Sequence, residues 1–232
     1  MPQPSGGLFI EDNQDLYIEY YIFDDDLPVE VVKDLADIYG FESKFAVGVD
    51  IETTGLYYQN DKITLVQLFD PVYARVFLVR VKDTIFPHSL VSLLQHKSIA
   101  KIFHHSEFDI SFLSYHYQVL VKNVIDTKIL ARIVNPLASR SETSLVSLLY
   151  HYFSVYLEKG TATSNWCAED LTETQIRYAI RDVVYLPMLR AQLESQLKPD
   201  VLQAAESVCN HSAAHIWLKV TQGINVYEKR VL

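Results

Sequence analysis

From Phe45 to Glu52 the side chains alternate: Phe45, Val47, Val49 and Ile51 project one way, and Ala46, Gly48, Asp50 and Glu52 the other. That two-residue period predicts a β-strand with an apolar face and a face of small and acidic groups. Ile63 to Phe69 and Arg75 to Val81 are further β-rich runs. Asp70-Pro71 with Tyr73 and Ala74 between them predicts a turn, and hence an antiparallel meander. Beyond residue 87 the period changes. It predicts a helix over about 88–97, a strand at Ile99 to Phe103, a helix over about 107–117, a short strand near Val124 and further helices to about 197. Thr172 and Gln175 have capping-box spacing, and Ile176, Ala179, Val183, Leu186 and Leu193 recur at helical intervals, with Pro187 expected to kink the helix. Strands followed by strand–helix alternation predict an α/β domain, a mixed sheet with helices packed on its faces.

The domain is expected at 45–197, after an acidic lead-in at 1–44. Residues 198–232, with the apolar group Ile216, Trp217, Leu218 and Val220, are expected to form a C-terminal extension packed on the domain or on another subunit. The net charge of −9 is unevenly spread. Residues 1–50 hold 12 Asp and Glu against Lys33 and Lys44, a net of −10, which leaves 18 Lys and Arg against 17 acids, or +1, for the remainder. A nucleic-acid partner therefore stays open for the body of the chain. With 49% hydrophobic and 21% charged residues the composition excludes disordered and fibrous classes. Cys167 and Cys209 form no C-x-x-C pair, which argues against a disulfide framework and a thiolate zinc site. Neither a secretory leader nor an apolar run of roughly 18 residues is found, so the expectation is a cytoplasmic protein without membrane contact.

Asp50 and Glu52 share one face at the end of the first strand, followed by the turn Thr53-Thr54-Gly55-Leu56, whose backbone N–H groups and small hydroxyls suit close approach of a ligand. Asp109 follows the strand ending at Phe103. Ser106 to Asp109 also has N-terminal cap spacing, so structural and functional readings of Asp109 stand side by side. His104 and His105 have no partner His at ligand spacing and read more readily as packing residues. Tyr178 and Asp182 lie one turn apart on the last long helix; the same Tyr-x-x-x-Asp at Tyr20, Tyr21 and Tyr57 lacks helical register. Asp126, ahead of Thr127, reads as an N-cap in preference to a chemical group. Lys101, Lys128, Arg132, Arg140, Lys159, Arg177 and Arg181 are candidate phosphate contacts, none preferred, and Trp166 and Tyr185 are either core or base-stacking aromatics. Brought together, Asp50, Glu52, Asp109 and Asp182 would repel strongly unless cations neutralised them. Oxygen-only ligands favour two Mg²⁺ or Mn²⁺ ions, which points to phosphodiester hydrolysis.

On these residues the chain resembles a known family. VGVDIETTGL at 47–56, IFHHSEFDISFL at 102–113 and YAIRDVVYL at 178–186 are similar, in order, to the three motifs of RNase D-type 3′–5′ exonucleases, the tyrosine branch of the DEDD superfamily. DTKILARIVNP at 126–136, SLVSLLYHYF at 144–153 and SNW at 164–166 resemble its connecting segment, so the likeness covers about 45–195. It departs from the usual pattern at His104-His105-Ser106-Glu107. The resemblance implies an RNase H-like fold and two-metal hydrolysis of the 3′-terminal nucleotide. It assigns Asp50 to both ions, Glu52 and Asp182 to one, Asp109 to the other through water, and Tyr178 to orienting the attacking water. Thr53 and Leu56 take the positions that approach the terminal ribose and base, Gly55 supplies the turn, and Gly55 and His105 are counted with them as substrate contacts. Compact length makes the chain look most like the short branch that includes nanoRNase C, implying very short RNA as substrate and a homo-oligomer. The competing expectations are the same hydrolysis on DNA or longer RNA, and a catalytically inactive nucleic-acid-binding module.

Overall fold

The computed structural model describes the backbone at residues 8–12, 16–20, 29–32, 46–81, 87–157, 164–168 and 170–227; the side chains described are those from residue 46 onward. The elements in chain order are β1 (Leu8–Asp12), β2 (Leu16–Tyr20), β3 (Val29–Val32), β4 (Ala46–Thr53), β5 (Ile63–Asp70), β6 (Arg75–Arg80), α1 (His88–Gln95), β7 (Ala100–Phe103), α2 (Glu107–Tyr117), β8 (Val124–Asp126), α3 (Thr127–Val134), α4 (Leu145–Phe153), α5 (Glu173–Val184), α6 (Leu186–Glu194) and α7 (Pro199–Gln222). β1 and β2 pair with each other, and the other six strands form one sheet in the order β3-β6-β5-β4-β7-β8. The expected meander is present, β4 to β5 to β6 antiparallel, while β7 and β8 extend it in parallel beyond β4. β3, in the acidic lead-in, adds a sixth strand parallel to β6. Its Val-Glu-Val-Val run does not stand out by pattern because the surrounding acids mask it.

Helices cover both faces, as the alternation in β4 requires. Val47, Val49 and Ile51 pack with Leu90, Leu93 and Leu94 of α1, with Ile110, Phe112 and Leu113 of α2, and with Ala213 and Ile216 of α7. Ala46 belongs to the opposite layer, with Leu130, Leu149, Ala179, Val183 and Leu189 from α3 to α6. Gly48 has a particular part in that layer. A β-carbon there would stand 2.6 Å from the Val183 carbonyl oxygen, so its absence lets the backbone of α5 lie directly on β4.

The last long helix is two. α5 stops at Val184 and α6 starts at Leu186 with Pro187 in its first turn, where a missing N–H is harmless. The break precedes the proline because its ring excludes the carbonyl four residues back from the helix ladder. α7 packs along α2 and β8 through Ala205, Cys209, Ala213 and Ile216. Among the described residues no helix is long and apolar enough to cross a membrane.

Candidate active site

Asp50 and Glu52 point from β4 into the layer occupied by α5. Because α5 rests on Gly48, Asp182 reaches them, and one carboxylate oxygen from each of Asp50, Glu52 and Asp182 lies within 4.8 Å of the others. Tyr178, one turn earlier, hydrogen-bonds its hydroxyl to the Asp182 carboxylate. The helix is fixed in register by its cap. Gln175 N–H donates to Thr172 Oγ1, the Gln175 side chain accepts from Thr172 N–H, and Gln175 Nε2 donates to Ser164 Oγ and to the Asn165 carbonyl. That ties the Ser164-Asn165-Trp166 segment under α5. Trp166 is buried with its ring 6.1 Å from that of Tyr178, and Tyr185 is buried too, so both are core aromatics and neither is an exposed stacking platform.

Asp109 comes from the first turn of α2 and is only 4% exposed. It hydrogen-bonds Asp50, while its Oδ1 has no hydrogen-bond partner among the described residues. The capping role open to it by sequence is not realised: Ser106 makes no side-chain cap, and its N–H and hydroxyl both donate to Asp126. Asp126 caps α3 as expected. The same segment puts His104 inward, hydrogen-bonded to Thr127 Oγ1, and His105 outward in a left-handed backbone conformation at φ 67°.

The electrostatics follow from burying four acids together. Burial raises Asp50 to about 6. Burial, then repulsion from Asp50, Asp182 and Asp109, raises Glu52 to about 10. Asp109 and Asp182 are held well above the usual carboxylate range, first by burial and then by the Asp50 charge. Burial and the neighbouring carboxylates also push the Tyr178 phenol up, so it stays protonated. A cluster this short of positive charge suits a divalent cation: its donors are all hard oxygens, three converge, and a buried fourth carboxylate has an oxygen to spare.

The lip of the site is a loop stapled by an acid that sequence reasoning passed over. Asp61 accepts from Tyr57 N–H and Thr54 Oγ1, and its carboxylate fills the space where a β-carbon at Gly55 would sit, 2.5 Å away. Thr53 Oγ1 donates to the Gly55 carbonyl, and Leu56 is left 75% exposed. Gln67 was also passed over; it pairs with Asp50 across β4 and β5 and donates weakly to it at 3.5 Å. The strand register was the signal that could have found it. Beside Tyr178 and Asp182 a cavity of about 350 Å³ is lined by Leu157, Glu173, Thr174, Arg177 and Arg181. The phosphate candidates separate accordingly. Arg177 and Arg181 line this cavity, Arg177 also pairing with Glu173. Lys128, Arg132 and Arg140 group near His105. Lys159 lies outside the described residues. Lys101 is fully buried at the start of β7, the end of the strand away from the acids, and is no phosphate contact.

A family model described as 3′-5′ exonuclease matches residues 20–198. Ribonuclease D of Haemophilus influenzae is 30% identical over 156 residues, which is 67% of this chain and 38% of that protein. The chain thus spans about two fifths of the length of the curated ribonuclease D it matches. Among solved structures it is similar to Brucella melitensis NrnC, with a TM-score of 0.77 and 26% identity over 88% of this chain and 99% of that one. The same NrnC is known with bound Mg²⁺ and bound to pGG. Escherichia coli RNase D matches with a TM-score of 0.71 and 26% identity, covering 82% of this chain and 50% of that one.

Proposed function

Since the chain belongs to the 3′-5′ exonuclease family, we propose that it removes the 3′-terminal nucleotide of short RNA by metal-dependent hydrolysis, releasing a nucleoside 5′-monophosphate. The observation that carries this reading is the convergence of Asp50, Glu52 and Asp182 oxygens within 4.8 Å beside a buried Asp109 oxygen that has no partner among the described residues. Asp50, Glu52 and Asp182 would hold one Mg²⁺ or Mn²⁺, and Asp50 with Asp109 a second. Two such ions supply Lewis-acid stabilisation of the charge on the attacking and leaving oxygens of a phosphodiester. Tyr178 donates its proton to Asp182, which leaves its oxygen lone pairs to accept a hydrogen bond from the attacking water. Held by Asp182, its hydroxyl would orient the water. Water oxygen attacks phosphorus, the bond to the 3′ oxygen of the preceding nucleotide breaks, and the two water protons end one on that oxygen and one on the released phosphate or in solvent. Exposed Leu56, with Thr53 and Gly55, would meet the terminal nucleotide, and His105 the chain behind it.

Short substrates are supported by the near-complete coverage of NrnC, whose complex holds pGG, and by a cavity of about 350 Å³ beside the acids. We place the activity in the cytoplasm, in a homo-oligomer. The test incubates 5′-labelled RNAs from a dinucleotide to a twenty-mer, and matched DNAs, with Mn²⁺ or with EDTA, beside Asp50→Asn. Fast metal-dependent loss of the dinucleotide with the twenty-mer nearly untouched is expected. A ladder on long RNA, or equal cleavage of DNA, would replace the substrate assignment. Hydrolysis by folded Asp50→Asn would remove the mechanism.

A further inference from the structure

Asp126 is 3% exposed and accepts five hydrogen bonds. On Oδ1 it takes the N–H groups of Lys128 at 2.8 Å, Ile129 at 3.2 Å and His105 at 3.1 Å. On Oδ2 it takes Ser106 N–H at 2.8 Å and Ser106 Oγ at 2.7 Å. The first two bonds cap α3, and the other three hold the segment that leads into α2. Its own N–H donates to Cys209 Sγ of α7 at 3.4 Å, so the carboxylate sits on a backbone anchored from behind.

The two Ser106 bonds matter because of what they prevent. In a capping box the N-cap serine hydroxyl accepts from the N–H three residues on, and the acid there accepts from the serine N–H. Ser106 and Asp109 have that spacing and occupy those helix positions. Asp126 takes the Ser106 N–H that Asp109 would otherwise accept and draws the Ser106 hydroxyl toward itself, and Ser106, in the αR conformation, makes no side-chain cap. Asp109 is thereby free to face Asp50 with its Oδ1 unpartnered among the described residues. The left-handed conformation of His105 belongs to the same arrangement, since a non-glycine residue occupies it only when its surroundings impose it.

We propose that Asp126 is a positioning residue of the nuclease site: it holds the Ser106 backbone and hydroxyl so that the Asp109 carboxylate turns toward the metal-binding acids and does not take the Ser106 N–H. This rests on the reading of Asp109 as a cation ligand.

Asp126→Asn is a selective test. With its oxygen kept toward Lys128, Ile129 and His105, the amide still caps α3, but its NH₂ then faces the Ser106 N–H donor to donor. The opposite rotamer sets NH₂ against three donors and is worse. In the folded variant, Mn²⁺ affinity by calorimetry and kcat on a dinucleotide should fall roughly 10- to 100-fold, with KM little changed, the range for losing a support behind a metal ligand. A merely structural loss would lower the melting temperature and leave Mn²⁺ affinity alone. A folded Asp126→Asn with the parent's Mn²⁺ affinity and kcat overturns the proposal. If that variant does not fold, Ser106→Ala, which removes one of the three bonds, should shift both quantities the same way by a few-fold, and no shift overturns it. Asp109→Asn is run beside them: if it leaves Mn²⁺ binding intact, the reading of Asp109 has failed and not the positioning.

Discussion

β7 buries charge near both of its ends, and the two ends treat it differently. At the start, Lys101 is fully buried with its ammonium donating to the carbonyls of His96 and Ile99, the latter at 2.8 Å, and burial followed by Lys122 brings its pKa down to about 7. At the far end, where the strand hands over to α2, Asp109 meets Asp50, Glu52 and Asp182, and burial with mutual repulsion holds their carboxyls above the usual range. The lysine is satisfied by its own backbone. The acids keep a carboxylate oxygen without a hydrogen-bond partner among the described residues and convergent oxygens that suit a cation, which separates a charge settled by its backbone from one left open to a ligand.

The contrast breaks first at Asp50. Asp50→Asn should cost about 10³-fold in turnover, the equivalent of several kcal/mol of lost charge stabilisation. Without metal at neutral pH it should also melt higher than the parent, since it removes a carboxyl that burial makes costly to ionise. A lower melting temperature would mean the acids are balanced within the protein. Next comes Gly48→Ala, whose β-carbon meets the Val183 carbonyl and must lift α5. Overpacking of about 1–3 kcal/mol is expected, with a larger proportional loss of kcat because Asp182 and Tyr178 move with the helix. Denaturant titration and turnover assays read the two effects.

The pH dependence sharpens the same comparison. Glu52 rises from 4.5 to about 10 and Asp50 from 3.8 to about 6 on folding, so the folded protein binds more protons than the unfolded chain in those windows. Metal-free stability contributed by these groups is therefore full below pH 4 and falls as pH rises, and Mn²⁺ should raise the melting temperature more at pH 8 than at pH 5. An increment independent of pH would show that cations do not displace these protons. The smallest effect belongs to Lys101→Met, at about 1–3 kcal/mol for the freed carbonyls and no change in kcat. A fall in kcat would tie that end of β7 to the chemistry.

Much of this arrangement was legible in the sequence, and for identifiable reasons. Alternation in β4 set Asp50 and Glu52 on one face, and helical register set Tyr178 over Asp182, because both depend only on local geometry. What escaped depends on residues far apart in the chain. Ser106 and Asp109 read equally well as a capping box until Asp126, twenty residues on, took both Ser106 donors. Lys101 looked like a surface cation because nothing in its neighbours foretells a turn whose carbonyls would solvate it. Asp61 looked like an ordinary turn residue, and only the closed loop shows it filling the space beside Gly55.

The seating of α5 on Gly48 also has a consequence for biosynthesis. Asp50 lies in β4 and Asp182 in α5, more than 130 residues later, so a ribosome delivers them far apart in time. Until α5 has emerged and docked, Asp50 and Glu52 have no Asp182 to share a cation with and no Tyr178 to hold a water. A nascent chain therefore carries only part of the acidic cluster, which is completed after most of the polypeptide has been made. On the reading of these acids as a cation site, the order of the elements holds that site incomplete until α5 has been made.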